Sequence, residues 1–258
     1  MSLVCFCSPK GGVGKTSLSV NVAGVLARAG LRVLVVDLDV QNSLRLHLGV
    51  QLGDERGLAP CLVNGRSIRE GVIAVAGNLL VMPFGQVTSA GLHAVSDHFA
   101  RNANWLKDTV APFLERGFVV MVDTPPGPSV YLDQTRAAST LDIVILQADA
   151  TSVSLLPTVE GQNFLGRPPD GSPRLVRYVF NLVDLRRRLT RDVVTLLRRR
   201  LGKTMTGIVN YDDSFGDAVA HQQLVIDRAP MSKAAADVRG LAAAIRELLP
   251  PNPEPGTR

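Results

Sequence analysis

The 258-residue sequence predicts an α/β fold: a mostly parallel central sheet with helices on both faces. Three observations carry that prediction. Apolar runs of strand length recur along the chain, Val33–Val36 and Phe118–Val122 among them, with helical patterns between. Continuous apolar strands alternating with helices belong to parallel sheets covered on both sides. The first run, Leu3 to Cys7, flows into a glycine-rich stretch, and a helical pattern leads out of it from Lys15 to Ala29. Finally, Asp37 and Asp123 each stand just past an apolar run, at the strand ends where such sheets bind ligands.

In chain order, the next expected strand is Arg32–Val36, ending at Asp37. Glycine-punctuated helical stretches are expected around Gly57–Val63 and Ser67–Val75, then a strand over Leu79–Phe84. Ala90–Arg116 reads as mostly helical, bent or interrupted at Pro112. Strands over Phe118–Val122, Ile143–Gln147, Leu175–Asn181 and Thr206–Val209 complete the sheet. Helices are expected at Tyr131–Ala138, Val153–Leu165, Thr190–Leu201, Ser214–Gln222 and Lys233–Leu248.

A hydrophobic fraction of 46% is ample for a large core, and no composition shift marks a linker, so residues 1–249 read as one domain. The proline-rich residues 250–258 read as a disordered tail. No apolar run approaches the length of a membrane span, and the first one leads into the glycines rather than to a cleavage site. The expectation is a cytoplasmic protein without an integral membrane segment. Three cysteines, an odd number, argue for reduced thiols. Cys5 and Cys7 alternate with Val4 and Phe6 and read as core.

The glycine-rich stretch is Ser8-Pro9-Lys10-Gly11-Gly12-Val13-Gly14-Lys15-Thr16-Ser17. Glycines let backbone N–H groups curl around a phosphate, and the helix that follows aims its positive dipole end at the same anion. Lys15 would serve the β- and γ-phosphates and Thr16 would offer a hydroxyl to Mg²⁺. The ordinary phosphate-loop pattern wants glycine where Pro9 stands, so the variant K-G-G-x-G-K-[ST] is the one that fits.

A second motif, Val35-Val36-Asp37-Leu38-Asp39-Val40-Gln41, sets two acids after a buried strand, where they are costly without partners. A Mg²⁺–phosphate site would supply partners; an ordinary helix-capping aspartate is the other reading. The third, Val119-Val120-Met121-Val122-Asp123-Thr124-Pro125-Pro126-Gly127, is an apolar strand ending in a carboxylate suited to Mg²⁺.

The loop with its front lysine, Lys10, resembles the MinD/ParA family of ATPases. That resemblance implies ATP and Mg²⁺ as cofactors, bound by Gly11, Gly12, Val13, Gly14, Lys15, Thr16 and Ser17. It implies a homodimer with ATP sandwiched, Lys10 reaching the partner's nucleotide. Thr16, Asp37, Asp39 and Asp123 would lie on the metal side, with Asp37 near its water shell and Asp39 orienting the attacking water. Lys10, Lys15 and Asp39 would thus carry slow, partner-stimulated hydrolysis. Thr124-Pro125-Pro126-Gly127 looks like the family's second switch, the Gly127 N–H sensing the γ-phosphate. Asn181, at a strand end, matches an asparagine that reads adenine, with Asn210 and Tyr211 as the other wall. An asparagine there can also be a turn former.

Relatives sort further. A lone Cys61 cannot bridge an iron–sulfur cluster as in nitrogenase iron proteins, and the alanine-rich Ala234–Leu249 does not look like a membrane-anchoring helix. Leu58–Gly65, Leu79–Gln86, Asn181–Asp184 and Asn210–Pro230 are similar to the BcsQ family of cellulose-secretion operons. This implies an ATPase switch at the inner face of the cytoplasmic membrane, peripheral to it through protein partners of the cellulose synthase complex. The net charge of +5 points to a second surface: Arg186-Arg187-Arg188 and Arg198-Arg199-Arg200 bracket an apolar stripe. Read as one basic helix, this stretch could meet DNA, anionic lipid or an acidic protein, or be merely a solvated face. A ParA-type DNA-partitioning ATPase is therefore the alternative function. A monomeric metabolic kinase has no use for Lys10.

Overall fold

A computed structural model describes residues 2–51, 53–160, 164–165 and 174–250. Its eight strands are β1 Ser2–Cys7, β2 Val33–Asp37, β3 Ile73–Ala76, β4 Leu79–Met82, β5 Val119–Asp123, β6 Leu141–Gln147, β7 Leu175–Val183 and β8 Met205–Asn210. They form one sheet in the order β3-β4-β2-β5-β1-β6-β7-β8. Every pairing is parallel except β3 with β4. The expected α/β class is the observed one.

Strand side chains alternate between the two faces, and both are buried. Val4, Phe6, Val33, Val35, Val119, Met121, Ile143 and Ile145 pack in one cluster with α1 (Lys15–Arg28) and α10 (Lys233–Leu248). On the opposite face, Leu3, Leu34, Val36, Val120 and Val122 lie under α2 (Leu58–Val63), α3 (Ser89–Arg101), α4 (Trp105–Glu115) and Tyr131 of α5 (Val130–Ala138). Cys5, Cys7, Val144, Leu146 and Phe180 continue that face beneath α6 (Ala150–Glu160) and α7 (Arg188–Leu201). All three cysteines are free and buried. Two short helices, α8 (Ser214–Ala220) and α9 (Val225–Arg228), precede α10.

The structure departs from the sequence reading in four places. Ser67–Val75 is not helical throughout: a 3₁₀ turn spans Ile68–Gly71, and β3 then pairs back onto β4 through Gly77 and Asn78. The expected single helix over 90–116 is two helices, parted at 102–104. There Gln134 accepts the Leu106 N–H and donates to the carbonyls of Phe99 and Asn102, satisfying both helix ends. Pro112 does not interrupt α4. The proline lacks the N–H that would bond Asp108, whose exposed position leaves that carbonyl to solvent. Arg186 and Arg187 precede α7 rather than forming its first turn, because Asp184 binds both. Of the expected helix over Val153–Leu165, residues 161–163 lie outside the described residues, as does the tail beyond Pro250.

Candidate functional site

Register brings the acids together. β2 and β5 are neighbours, and their last residues, Asp37 and Asp123, stand directly opposite each other. β1 flanks β5 on its other side, so the turn after Cys7 passes over both carboxylates.

That turn closes at Gly14, which caps α1 with φ +78°. A Cβ there would lie 2.3 Å from the side-chain nitrogen of Asn181, so geometry and packing both demand glycine. Asn181 extends from β7 beneath the loop and donates its Nδ2 to the Val13 carbonyl at 2.8 Å. The residue is 2% exposed, and its Oδ1 is buried without a hydrogen-bond partner.

Lys15 and Thr16 turn inward at the start of α1. Lys15 Nζ pairs with Asp123 Oδ1 at 3.0 Å, and the Thr16 hydroxyl donates to Asp123 Oδ2 at 2.5 Å. Burial opposes the Lys15 charge, but Asp123, with Asp39 and Asp37 behind it, outweighs that and holds the ammonium above its ordinary range. Asp37 accepts the N–H groups of Asp39 and Leu44, at 2.9 and 3.3 Å. Burial, then repulsion from Asp123, pushes the Asp37 carboxyl well above its usual range against those donors. Asp39 is buried at the loop's mouth and accepts the Gln41 N–H at 3.0 Å. Among the described residues no cluster of three or more His, Cys, Asp or Glu side chains could hold a metal ion alone. A cation here would draw on phosphate oxygens and the Thr16 hydroxyl as well.

Lys10 stands apart from this centre. Its ammonium pairs with Asp149 Oδ2 at 2.7 Å, just past β6, and both side chains are partly exposed. Burial raises the Asp149 carboxyl, but Lys10 and the Ser152 N–H hold it below its ordinary range overall. Gly127 adopts φ +75° and donates its N–H to the Ser8 carbonyl at 2.9 Å, tying the segment after β5 to the loop. To meet a phosphate, that N–H would have to leave Ser8.

Three cavities open at this edge. One of about 230 Å³ covers the loop from Lys10 to Ser17 and is bounded by Asp39, Gln41, Ser43, His47 and Pro126. Beyond Lys10 lies a second of about 480 Å³, lined by Gln147, Asp149, Leu182, Asp184, Arg187 and Tyr211. It shares Asp184, Arg186 and Tyr211 with a third, of about 580 Å³, that reaches Asn210, Asp212 and Lys233. Tyr211 thus faces open space, 52% exposed, its hydroxyl on Asp213. Asn181 lines none of the three. Its Nδ2 is held by the loop's own Val13 carbonyl, and its Oδ1 is the amide atom left unpartnered. The motifs did not mark Asp149 or His47. A carboxylate just past a buried strand was the available signal for Asp149; nothing about His47 stood out.

The fold and this loop define a P-loop protein of the MinD/ParA class. The chain belongs to the family described as "Cellulose biosynthesis protein BcsQ", whose model matches residues 1–245. It is 29% identical to the chromosome-partitioning ATPase Soj of Thermus thermophilus over 245 residues, 93% of either chain. Against the cellulose biosynthesis protein BcsQ of Salmonella typhi it is 38% identical over 80 residues, 31% of this chain and 32% of that one. Among solved structures, the septum site-determining protein MinD of Pyrococcus horikoshii, complexed with Mg-ADP, shares the fold. Its TM-score is 0.75 at 17% identity, with 96% of each chain covered.

Proposed function

We propose that the chain is an ATP-dependently dimerising ATPase switch that regulates or localises the cellulose synthase complex at the cytoplasmic side of the membrane. The observation that carries the reading is the contrast between two lysines. Lys15 is buried against Asp123, whereas Lys10 sits on the rim with its ammonium partly exposed. Lys15 would turn from Asp123 to a β/γ-phosphate, and Thr16 would turn its hydroxyl to a phosphate-bound Mg²⁺. The cation would offset phosphate charge and relieve the repulsion between Asp37 and Asp123. Asp39, at the mouth, would orient the attacking water. Lys10, released from Asp149, would reach the nucleotide of a second copy, where excluded water strengthens the charge pair. Gly127, released from Ser8, would carry the nucleotide state into the segment that follows. Tyr211 would stack beside the base, and residues 1–249 would act as one unit. The residues fit such a ligand: the loop closes at a helix N-terminus, and three buried aspartates face one buried cation.

The cellulose assignment rests on the family match over nearly the whole chain. The 29% likeness to a chromosome-partitioning ATPase, together with the exposed arginines of α7, favours a second reading, in which the dimer is held on nonspecific DNA. The test is recovery of the full chain, with ATP and Mg²⁺, on membranes carrying the cellulose synthase subunits and on duplex DNA. Retention on those membranes beyond that on membranes lacking the subunits supports the first reading. DNA retention falling steeply with salt, without membrane recovery, replaces it with the second.

A further inference from the structure

We propose that the outer row of α7 docks the chain directly on an anionic lipid surface. Leu189 and Leu196 would enter the acyl boundary while Arg188 and Arg199 meet the headgroups. The helix carries five arginines against one aspartate, Asp192. Its inner side is fully used: Val193, Val194, Leu197 and Leu201 are buried. Leu189 and Leu196 are not part of that stripe, at 63% and 50% exposure. Leu185, just before the helix, is 42% exposed. Leu189 and Leu196 are seven residues apart, nearly two full turns, so they point the same way about 10 Å apart. The same periodicity sets Arg188 and Arg199 along one flank of the row and Arg200 along the other. Arg200 is tied to Glu160 at 2.5 Å, whereas Arg188 meets only the exposed Asp192, at 3.9 Å, and Arg199 has no ion-pair partner among the described residues. Leucines set among arginines are what an anionic bilayer boundary accepts: charge on the headgroups, apolar side chains withdrawn from water. A DNA backbone uses the arginines and leaves the leucines wet, and the helix has no aromatic residue to stack on a base. The inference stands apart from the nucleotide switch and from the cellulose assignment, since it uses none of their residues.

The experiment is co-sedimentation of the full chain, without nucleotide, with vesicles of phosphatidylglycerol and phosphatidylcholine or of phosphatidylcholine alone. Binding is expected only to the anionic vesicles. The exposed pair Leu189→Ser/Leu196→Ser should weaken it about tenfold or more, because lost apolar insertion is the cause. Arg188→Ala/Arg199→Ala should weaken it about twenty-fivefold, about fivefold per charge. Retention on a DNA duplex, measured in parallel, should be the same for the leucine variant as for the parent chain. Equal sedimentation with both vesicle types, or undiminished binding by the leucine variant, overturns the proposal. So does binding to duplex alone. A melting curve checks that each variant folds, and the arginine pair decides should the leucine pair not fold.

Discussion

Lys15 and Asp39 test the site residue by residue, because they stand on opposite sides of the same chemistry. Lys15→Ala should abolish tight ATP binding in calorimetry, since it removes a buried cation from the phosphate loop itself. Unchanged affinity would remove Lys15 from the phosphates. Asp39→Ala should leave ATP binding largely intact and slow turnover about 10²–10⁴-fold, the usual loss of a positioned general base. Turnover within a few-fold of the parent chain rules out that role. His47 yields a stability prediction. Burial lowers its pKa from 6.5 to about 4, so the unfolded chain binds a proton that the folded one refuses. The penalty is absent at neutral pH, grows as pH falls below about 6.5 and levels off below about 4. By pH 5 it should cost about 2 kcal/mol. Denaturant unfolding at pH 7 and pH 5 should show that loss in the parent chain and not in His47→Gln; an equal loss in both discards it. The raised Asp37 carboxyl works in the opposite direction, which is why the difference between the two proteins is the quantity to read. The loop lysine, threonine and both strand-end acids were legible in the sequence because their spacing is local. Asp149 and His47 were not, because each gains its place only when distant strands and turns close around the loop.

Among the elements, the loop and β7 depend on each other through one contact. Gly14→Ala places a Cβ against Asn181 at a positive φ, so the loop must shift. Asn181→Ala leaves the buried Val13 carbonyl without its donor, a loss of about 1–3 kcal/mol. The nucleotide-free melting temperature should fall in both variants; an Asn181→Ala melt equal to the parent's denies the amide its supporting role. The parallel strands were readable because burial on both faces leaves runs such as Val33–Val36 and Val119–Val122 uniformly apolar. β3 was not. Its four residues, Ile73 to Ala76, follow a true 3₁₀ turn, and only pairing with β4 makes them a strand. The break between α3 and α4 was hidden for a similar reason: Gln134, 28 residues beyond Leu106 and 32 beyond Asn102, satisfies the ends.

At the scale of the whole molecule, one edge gathers the carboxyl ends of β1, β2, β5, β6, β7 and β8, and every residue of the proposed switch lies along it. Lys10 holds Asp149 there in a partly exposed pair, an attachment of about 1 kcal/mol or less, weak enough to exchange for a partner's phosphates. In the proposed switch each copy would present a nucleotide that its own loop only partly neutralises, together with a lysine aimed away from it. The direct measurement is the mass of the Asp39→Ala protein by light scattering with ATP and Mg²⁺, with ADP and Mg²⁺, and with ATP and Mg²⁺ after Lys10→Ala is added. A dimer in the first condition and a monomer in the other two is the predicted result. A monomer throughout, or a dimer of equal strength in all three, contradicts a nucleotide-driven dimer joined by Lys10.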